Sequence, residues 1–242
     1  QDPYTPWPNS LILLAGIASA TTSLRLVASA VLAPLRHPLL LAREIGTLDL
    51  LSAGRLVVQP SVSWSRDEYA ALGVPFGRRG AILDELLEVL ARAWGPSPLS
   101  HHGEFFDFDE VYFEPKAYRP DGPRLWFGGQ RMHPPLLRRL VRYGHGFHPV
   151  GAPTADDLAQ LTAGMAAAGR SMDDFELIGG TRAVFRDDHS CADLGPAMDA
   201  IGPQLEQGYT TFGLKPSQYI DDGAQIGQFC REVMRRARAL GA

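Results

Sequence analysis

The run Gly128-Gly129-Gln130-Arg131 follows an apolar Leu125-Trp126-Phe127 segment and precedes a helical stretch. Glycines at such a strand-to-helix turn let backbone N–H groups approach a phosphate, and the helix start adds partial positive charge. Arg131 can add a charge-assisted hydrogen bond; a plain strand-end turn is the other reading of the same residues. A second run, Gln59-Pro60-Ser61-Val62-Ser63-Trp64, closes another apolar segment. The Ser61 and Ser63 hydroxyls can hydrogen-bond a ligand there, and Trp64 either stacks on a planar ring or joins the core. His148 follows Gly146-Phe147 at the end of a short strand, where an imidazole can serve as general acid or base. His148 and Trp64 are therefore the candidate catalytic positions. Among the remaining histidines, His37 precedes Pro38 and reads as structural, and His145 flanks the His148 strand. His101 and His102 fall in a stretch that reads as a solvated loop. The seven histidines form no metal-binding pattern such as HExxH.

These positions need elements to hold them. Asn9 or Ser10 caps a helix through Leu11 to Ala18, and Leu24 to Val31 is a short apolar strand ending in the small residues Ser29-Ala30. His37-Pro38 opens a helix that Gly54 terminates, with Asp49 and Arg55 straddling its end as a fold-stabilising pair. The strand Arg55 to Val58 leads into the Gln59 run. A short helix from Asp67 to Leu72 and an amphipathic one from Ala81 to Trp94 follow. Residues 95–123 lack a helical period and alternate instead, as in Phe105-Phe106-Asp107-Phe108, which marks an excursion with extended segments. Beyond it the expected order is a strand at Leu125 to Phe127, a helix to Tyr143, a strand at Gly146 to Pro149 and a helix capped by Thr154. A strand from Phe175 to Val184, a helix from Asp193 to Gln207, a strand from Thr210 to Leu214 and a helix from Ser217 to Leu240 complete the chain. Helix and strand alternate throughout, which implies a parallel sheet covered by helices on both faces. The glycine-rich first turn of a dinucleotide fold is missing. One α/β domain over residues 1–242, a (β/α)8 TIM barrel short of its first one or two strand-helix units, accounts for the order.

Composition narrows the function classes. The 242 residues are 45% apolar and 21% charged, ordinary for a globular enzyme, and a formal charge of −4 supplies no basic footprint for nucleic acid. No apolar run reaches the roughly 18 residues a membrane span requires, and no basic-then-apolar leader opens the chain. Cys191 and Cys230 lack metal or disulfide-framework spacing and suit a reducing, cytoplasmic setting.

Several motifs in order resemble the luciferase-like monooxygenase superfamily. They are Ala20-Thr21-Thr22-Ser23-Leu24-Arg25-Leu26, Arg36-His37-Pro38-Leu39-Leu40-Leu41-Ala42 and the stretch from Thr47 through Ser52-Ala53-Gly54-Arg55-Leu56. Glu68-Tyr69-Ala70-Ala71-Leu72-Gly73-Val74-Pro75-Phe76, Arg78-Arg79-Gly80, His102-Gly103-Glu104-Phe105-Phe106, Glu114-Pro115 and Leu125-Trp126-Phe127-Gly128-Gly129 extend the likeness, which fades after Val150. The resemblance implies a barrel enzyme that uses coenzyme F420, or alternatively FMN, with the deazaflavin branch the closer likeness. It further implies coenzyme phosphate binding by Gly128, Gly129, Gln130 and Arg131. A non-prolyl cis peptide near Ala30-Val31 would support the ring, within the strand end Ser29-Ala30-Val31. The family pattern has glycines where Gln59, Ser61 and Ser63 stand, so the ring pose at Ser61 and Ser63 departs from it.

The expected function is hydride transfer between coenzyme F420 and a small to mid-sized organic substrate. An FMNH2-dependent two-component monooxygenase and a redox-inactive ligand-binding relative are the alternatives. Trp64, Tyr69, Phe76, Phe105, Phe106 and Tyr112 are available as pocket lining or as core. Two further expectations follow: residues upstream of Gln1, or another chain, cover the opened barrel edge, and the protein forms a homodimer.

Overall fold

The computed structural model describes residues 7–151, 153–187 and 190–241. The chain divides into two compact units, one formed by residues up to Gly128 with His133–His145, the other by Gly129–Met132 with the residues from Gly146 onward.

The first unit begins with α1 (Ser10–Ala20), whose start is capped by the Asn9 side chain accepting from Leu11 and Ile12 N–H. Strand β1 (Leu26–Leu32) follows, then α2 (Pro38–Leu51), β2 (Leu56–Ser61), α3 (Arg66–Ala71) and α4 (Arg79–Ala93). Strands β3 (Leu99–His102) and β4 (Asp107–Val111) form an antiparallel hairpin inside the expected excursion. Strand β5 (Arg124–Phe127) and α5 (Pro134–Tyr143) complete the unit. β1 and β5 both run parallel to β2, in registers that include Leu26↔Leu56 and Val57↔Arg124. Apolar residues at helical spacing build the core: Leu41, Ile45 and Leu48 from α2, and Leu83, Leu86, Leu87 and Leu90 from α4, are all buried.

The α2 start carries Pro38 at its first turn, and His37 Nδ1 accepts from Leu39 N–H, a structural role as expected. Gly54 ends the turn after α2 at φ +76, a conformation that side chains disfavour, and its N–H donates to Asp49 O. Asp49 and Arg55 stabilise the fold through separate partners rather than as a pair. The fully buried Asp49 carboxylate accepts from Tyr118 and Arg119 N–H. Arg55 gathers the carbonyls of Ala18, Thr21, Leu24 and Ser52 and the Thr21 hydroxyl, tying the α1–β1 connection to the end of α2.

The histidines expected in a solvated loop stand in the β3 strand. His101 is buried with Nε2 3.2 Å from Glu85, while the exposed His102 meets Asp107 at 2.6 Å and Asp109 at 3.1 Å. Of the aromatics offered as pocket or core, Tyr69 is fully buried and Tyr112 is exposed. Phe106 lies edge-on to His37, and Phe105 lies beneath the Arg78 guanidinium.

The second unit holds β6 (Gly146–Phe147), α6 (Ala155–Ala167), β7 (Glu176–Gly180), α7 (Leu194–Asp199), α8 (Ile201–Glu206), β8 (Thr211–Gly213) and α9 (Ile226–Ala239). Its three strands are parallel, pairing Phe147 with Leu177 and Gly179 with Phe212. Several boundaries differ from the sequence reading, β6 ending at Phe147 rather than Pro149 among them. β7 stops at Gly180, which ends the apolar alternation. The helix expected over 193–207 breaks at Ala200, and α9 starts at Ile226 because Asp221-Asp222-Gly223 favours turns, with Asp222 capping Ala224 N–H. Ala192, Ala197, Tyr219 and Phe229 form this unit's apolar cluster. Among the described residues no helix is long and apolar enough to cross a membrane, and both cysteines are free and exposed.

Candidate functional site

Sequence places the chemically useful residues at the C-terminal ends of strands, the end where barrel enzymes assemble their sites. In the first unit Ser29, Ala30 and Val31 lie in the C-terminal half of β1. The cis peptide lies at Ser29–Ala30, one bond earlier than the resemblance implies. Pairing with β2 slips between Ser29 and Val31, so Ala30 has no register partner. Ser29 and Ala30 are exposed, whereas Val31 is 2% exposed and its side chain packs in the core. On the neighbouring strand Gln59 accepts a 2.6 Å hydrogen bond from the Ser29 hydroxyl.

Past Gln59 the chain makes a turn built by its own serines. Ser61 Oγ accepts from Ser63 N–H, Ser63 Oγ from Ser65 N–H, and Ser65 Oγ from Glu68 N–H, which caps α3. Ser63 takes up φ +57. The serines where the resemblance expects glycines thus replace glycine's flexibility with side-chain hydrogen bonds. Because Ser61 and Ser63 act only as acceptors among the described residues, each hydroxyl hydrogen can turn toward a ligand. The Tyr69 hydroxyl donates to Val62 O and fixes the turn from below. Trp64 stands on this turn with 75% of its surface exposed, which removes it from the core. Gly128 follows β5 and is half-buried.

In the second unit the segment Gly129–Met132 is held at both ends. Gly129 O accepts from Val150 N–H at 3.0 Å, and Met132 N–H donates to Asp157 Oδ1 at 3.0 Å. Gln130 and Arg131, between these anchors, are exposed. His148 follows β6 and is half-buried, and burial pushes its pKa below the usual 6.5, so it is neutral at pH 7 and able to accept a proton. His145, which flanks the same strand, belongs to the first unit and is structural: its Nδ1 accepts from Leu125 N–H.

Two carboxylates escaped the sequence reading. Asp157 sits three residues after the capping Thr154, a spacing that signals a capping box and could have exposed it. Glu85 receives the N–H groups of Glu104, Phe105 and Phe106, and no local pattern announces partners so far along the chain.

With this geometry in view, the luciferase-like monooxygenase family model matches residues 1–201. The chain belongs to the luciferase-like monooxygenase family. Its α/β order, with three parallel strands in each unit, is that of a partial TIM barrel of the luciferase-like kind. An uncharacterized protein of Mycobacterium tuberculosis is 41% identical over 111 residues, 46% of this chain and 39% of that protein. The chain thus spans well under half the length of that curated relative. Among solved structures, monooxygenase RslO1 from Streptomyces bottropensis has a TM-score of 0.65 at 26% identity, covering 83% of this chain and 60% of that one. The coenzyme F420 dependent tetrahydromethanopterin reductase from Methanopyrus kandleri has a TM-score of 0.62 at 18% identity, covering 82% of this chain and 60% of that one, a likeness of fold.

Proposed function

We propose that this luciferase-like family member is an oxidoreductase that moves a hydride between coenzyme F420 and a small to mid-sized organic substrate. The observation that carries the reading is the strand-end surface of the first unit. Ser29 and Gln59 are joined at 2.6 Å, Ser61 and Ser63 keep orientable hydroxyls, and Trp64 is 75% exposed beside them. Polar hydrogen-bonding groups next to an unburied indole suit a planar heteroaromatic ring with carbonyl and nitrogen edges. Ser29, Ala30, Ser61 and Ser63 are assigned to the ring, Val31 to the packing behind Ala30, and Trp64 to ring or substrate stacking. Gly128, Gly129, Gln130 and Arg131 are assigned to the phosphate.

When bound, a deazaflavin supplies a carbon that gives or takes a hydride. The chain's own part is to orient the ring and exclude water, and His148, whose pKa burial lowers, is assigned the role of holding or accepting a proton. FMN as coenzyme of a two-component monooxygenase is the second reading, and the likeness to a monooxygenase from Streptomyces bottropensis at 26% identity supports its monooxygenase part. A homodimer through the outward faces of α1 and α2 completes the proposal.

Fluorescence titration of the purified protein with F420 and with FMN tests the assignment. Micromolar or tighter F420 binding with weak FMN binding is expected. Tight FMN binding without F420 binding overturns the first reading for the second, and binding of neither makes the chain a redox-inactive relative.

A further inference from the structure

Resting on the assignment of Gly128 to Arg131 to the coenzyme phosphate, we infer that Asp157 is the positioning residue for that contact. Asp157 is the third residue of α6 and only 9% exposed. In a capping box the third residue returns one bond to the cap, and Asp157 does so: Oδ2 accepts from both the N–H and the hydroxyl of Thr154, each at 2.8 Å, while Thr154 Oγ accepts from Asp157 N–H at 3.1 Å. The helix start needs nothing more from this side chain.

Yet the second oxygen, Oδ1, reaches a residue 25 positions upstream and accepts from Met132 N–H at 3.0 Å. With Gly129 O held by Val150 N–H, this bond closes the segment on the β6–α6 connection and leaves Gln130 and Arg131 presented between two fixed points. Both Asp157 oxygens are engaged by donors, and its pKa is held below the usual 3.8 by the Thr154 and Met132 bonds, so the tether persists throughout the neutral range. An anion contact made by exposed backbone and one arginine is weak if the segment must be ordered on binding, and stronger if it is already ordered. Asp157 acts through Arg131 and the backbone and touches no ligand itself.

The test measures dissociation constants of the full chain for a pair that differs only in phosphate, FMN with riboflavin, and for F420 with its 8-hydroxy-5-deazariboflavin core, which lacks the whole phosphodiester tail. The readout is the preference for the phosphorylated member. In Asp157→Ala the preference is expected to fall at least tenfold, and in Asp157→Asn, which keeps an amide oxygen for Met132 N–H, to return to within about threefold of wild type. Thr154→Ala removes the cap while sparing the Met132 bond, so it lowers Tm with the preference unchanged. A purely structural role would weaken both members of a pair equally and overturns the inference. So does a preference lost in Arg131→Ala but kept in Asp157→Ala. A wild type with no preference for phosphate, or with no binding, overturns instead the phosphate assignment beneath it.

Discussion

Trp64 is the residue whose setting says most about use. An indole left 75% exposed on a turn pinned by three serine hydroxyls contributes little to the folded core. Trp64→Ala is therefore expected to leave the stability within about 0.5 kcal/mol of wild type. Loss of a ring-stacking contact worth roughly 0.5–1.5 kcal/mol should weaken coenzyme binding about 2- to 10-fold. Thermal melts and titrations on the same preparation check both halves, and a large drop in stability with unchanged binding would return Trp64 to the core. At this scale the sequence was only partly legible. The types and strand-end positions of Ser29, Ser61, Ser63 and His148 were plain from the motifs, because strand ends show as apolar runs that stop. What each serine does was not: Ser61 and Ser63 serve their own turn through bonds two residues ahead, and Val31 is sealed inward by a register slip no single strand announces.

Among the elements, the β3–β4 hairpin depends on one carboxylate of α4. Glu85, 12% exposed, receives the N–H groups of Glu104, Phe105 and Phe106 and lies 3.2 Å from His101 Nε2. A Cβ on Gly103 would run into this carboxylate, so glycine lets the turn close on it. Burial alone would raise the Glu85 pKa, but the bonds from Phe106, Phe105, His101 and Glu104 together outweigh it and hold the group below its ordinary 4.5. A depressed folded-state pKa means the clamp contributes in full above pH 4.5 and is lost as pH falls through the lower folded-state value. Amide protection at Glu104 to Phe106, taken relative to the intrinsic exchange rate at each pH, should fall on acidification through that range in wild type. Glu85→Ala, which strands three donors, should show the fast exchange already at neutral pH, with a local loss of about 1–3 kcal/mol. Exchange that stays slow in Glu85→Ala would remove the clamp. Extended segments were visible as alternation around β4 but not at β3, whose histidines read as a solvated loop, and α2 and α4 were visible as helical spacing, α2 with a proline start. The break at Ala200 and the late start of α9 were hidden because the apolar period runs on through residues that turn chemistry interrupts.

For the whole molecule, the six parallel core strands, three in each unit, were countable from the alternation of apolar segments, and their number carried the barrel reading. What a single chain does not display is its association, yet α1 bears on it. Its sequence, SLILLAGIASA, is apolar on every side, and a helix of that kind is ordinarily covered on every side. Here Ile12 is 73% and Leu13 53% exposed, and on the adjacent α2 Leu40 is 61% and Leu51 55% exposed. Ile12, Leu40 and Leu51 line one groove with Ala15 and Thr47, so the exposed side chains form a continuous face. Two helices of about 16 and 21 Å, each some 10 Å across, offer on the order of 370 Å² of projected face per copy. Paired with itself about a two-fold axis, that face supplies on the order of 740 Å², the apolar centre of an interface whose stable class starts at roughly 1,200 Å². Burying such side chains contributes roughly 1.5–3 kcal/mol each, enough in total to exceed the cost of association. Sedimentation should therefore give a dimer at about 10 µM, and Ile12→Glu with Leu51→Glu should give a monomer with an unchanged circular dichroism spectrum. A wild type that sediments as a monomer at ten times that concentration would leave the α1–α2 face to another occupant and end the homodimer proposal.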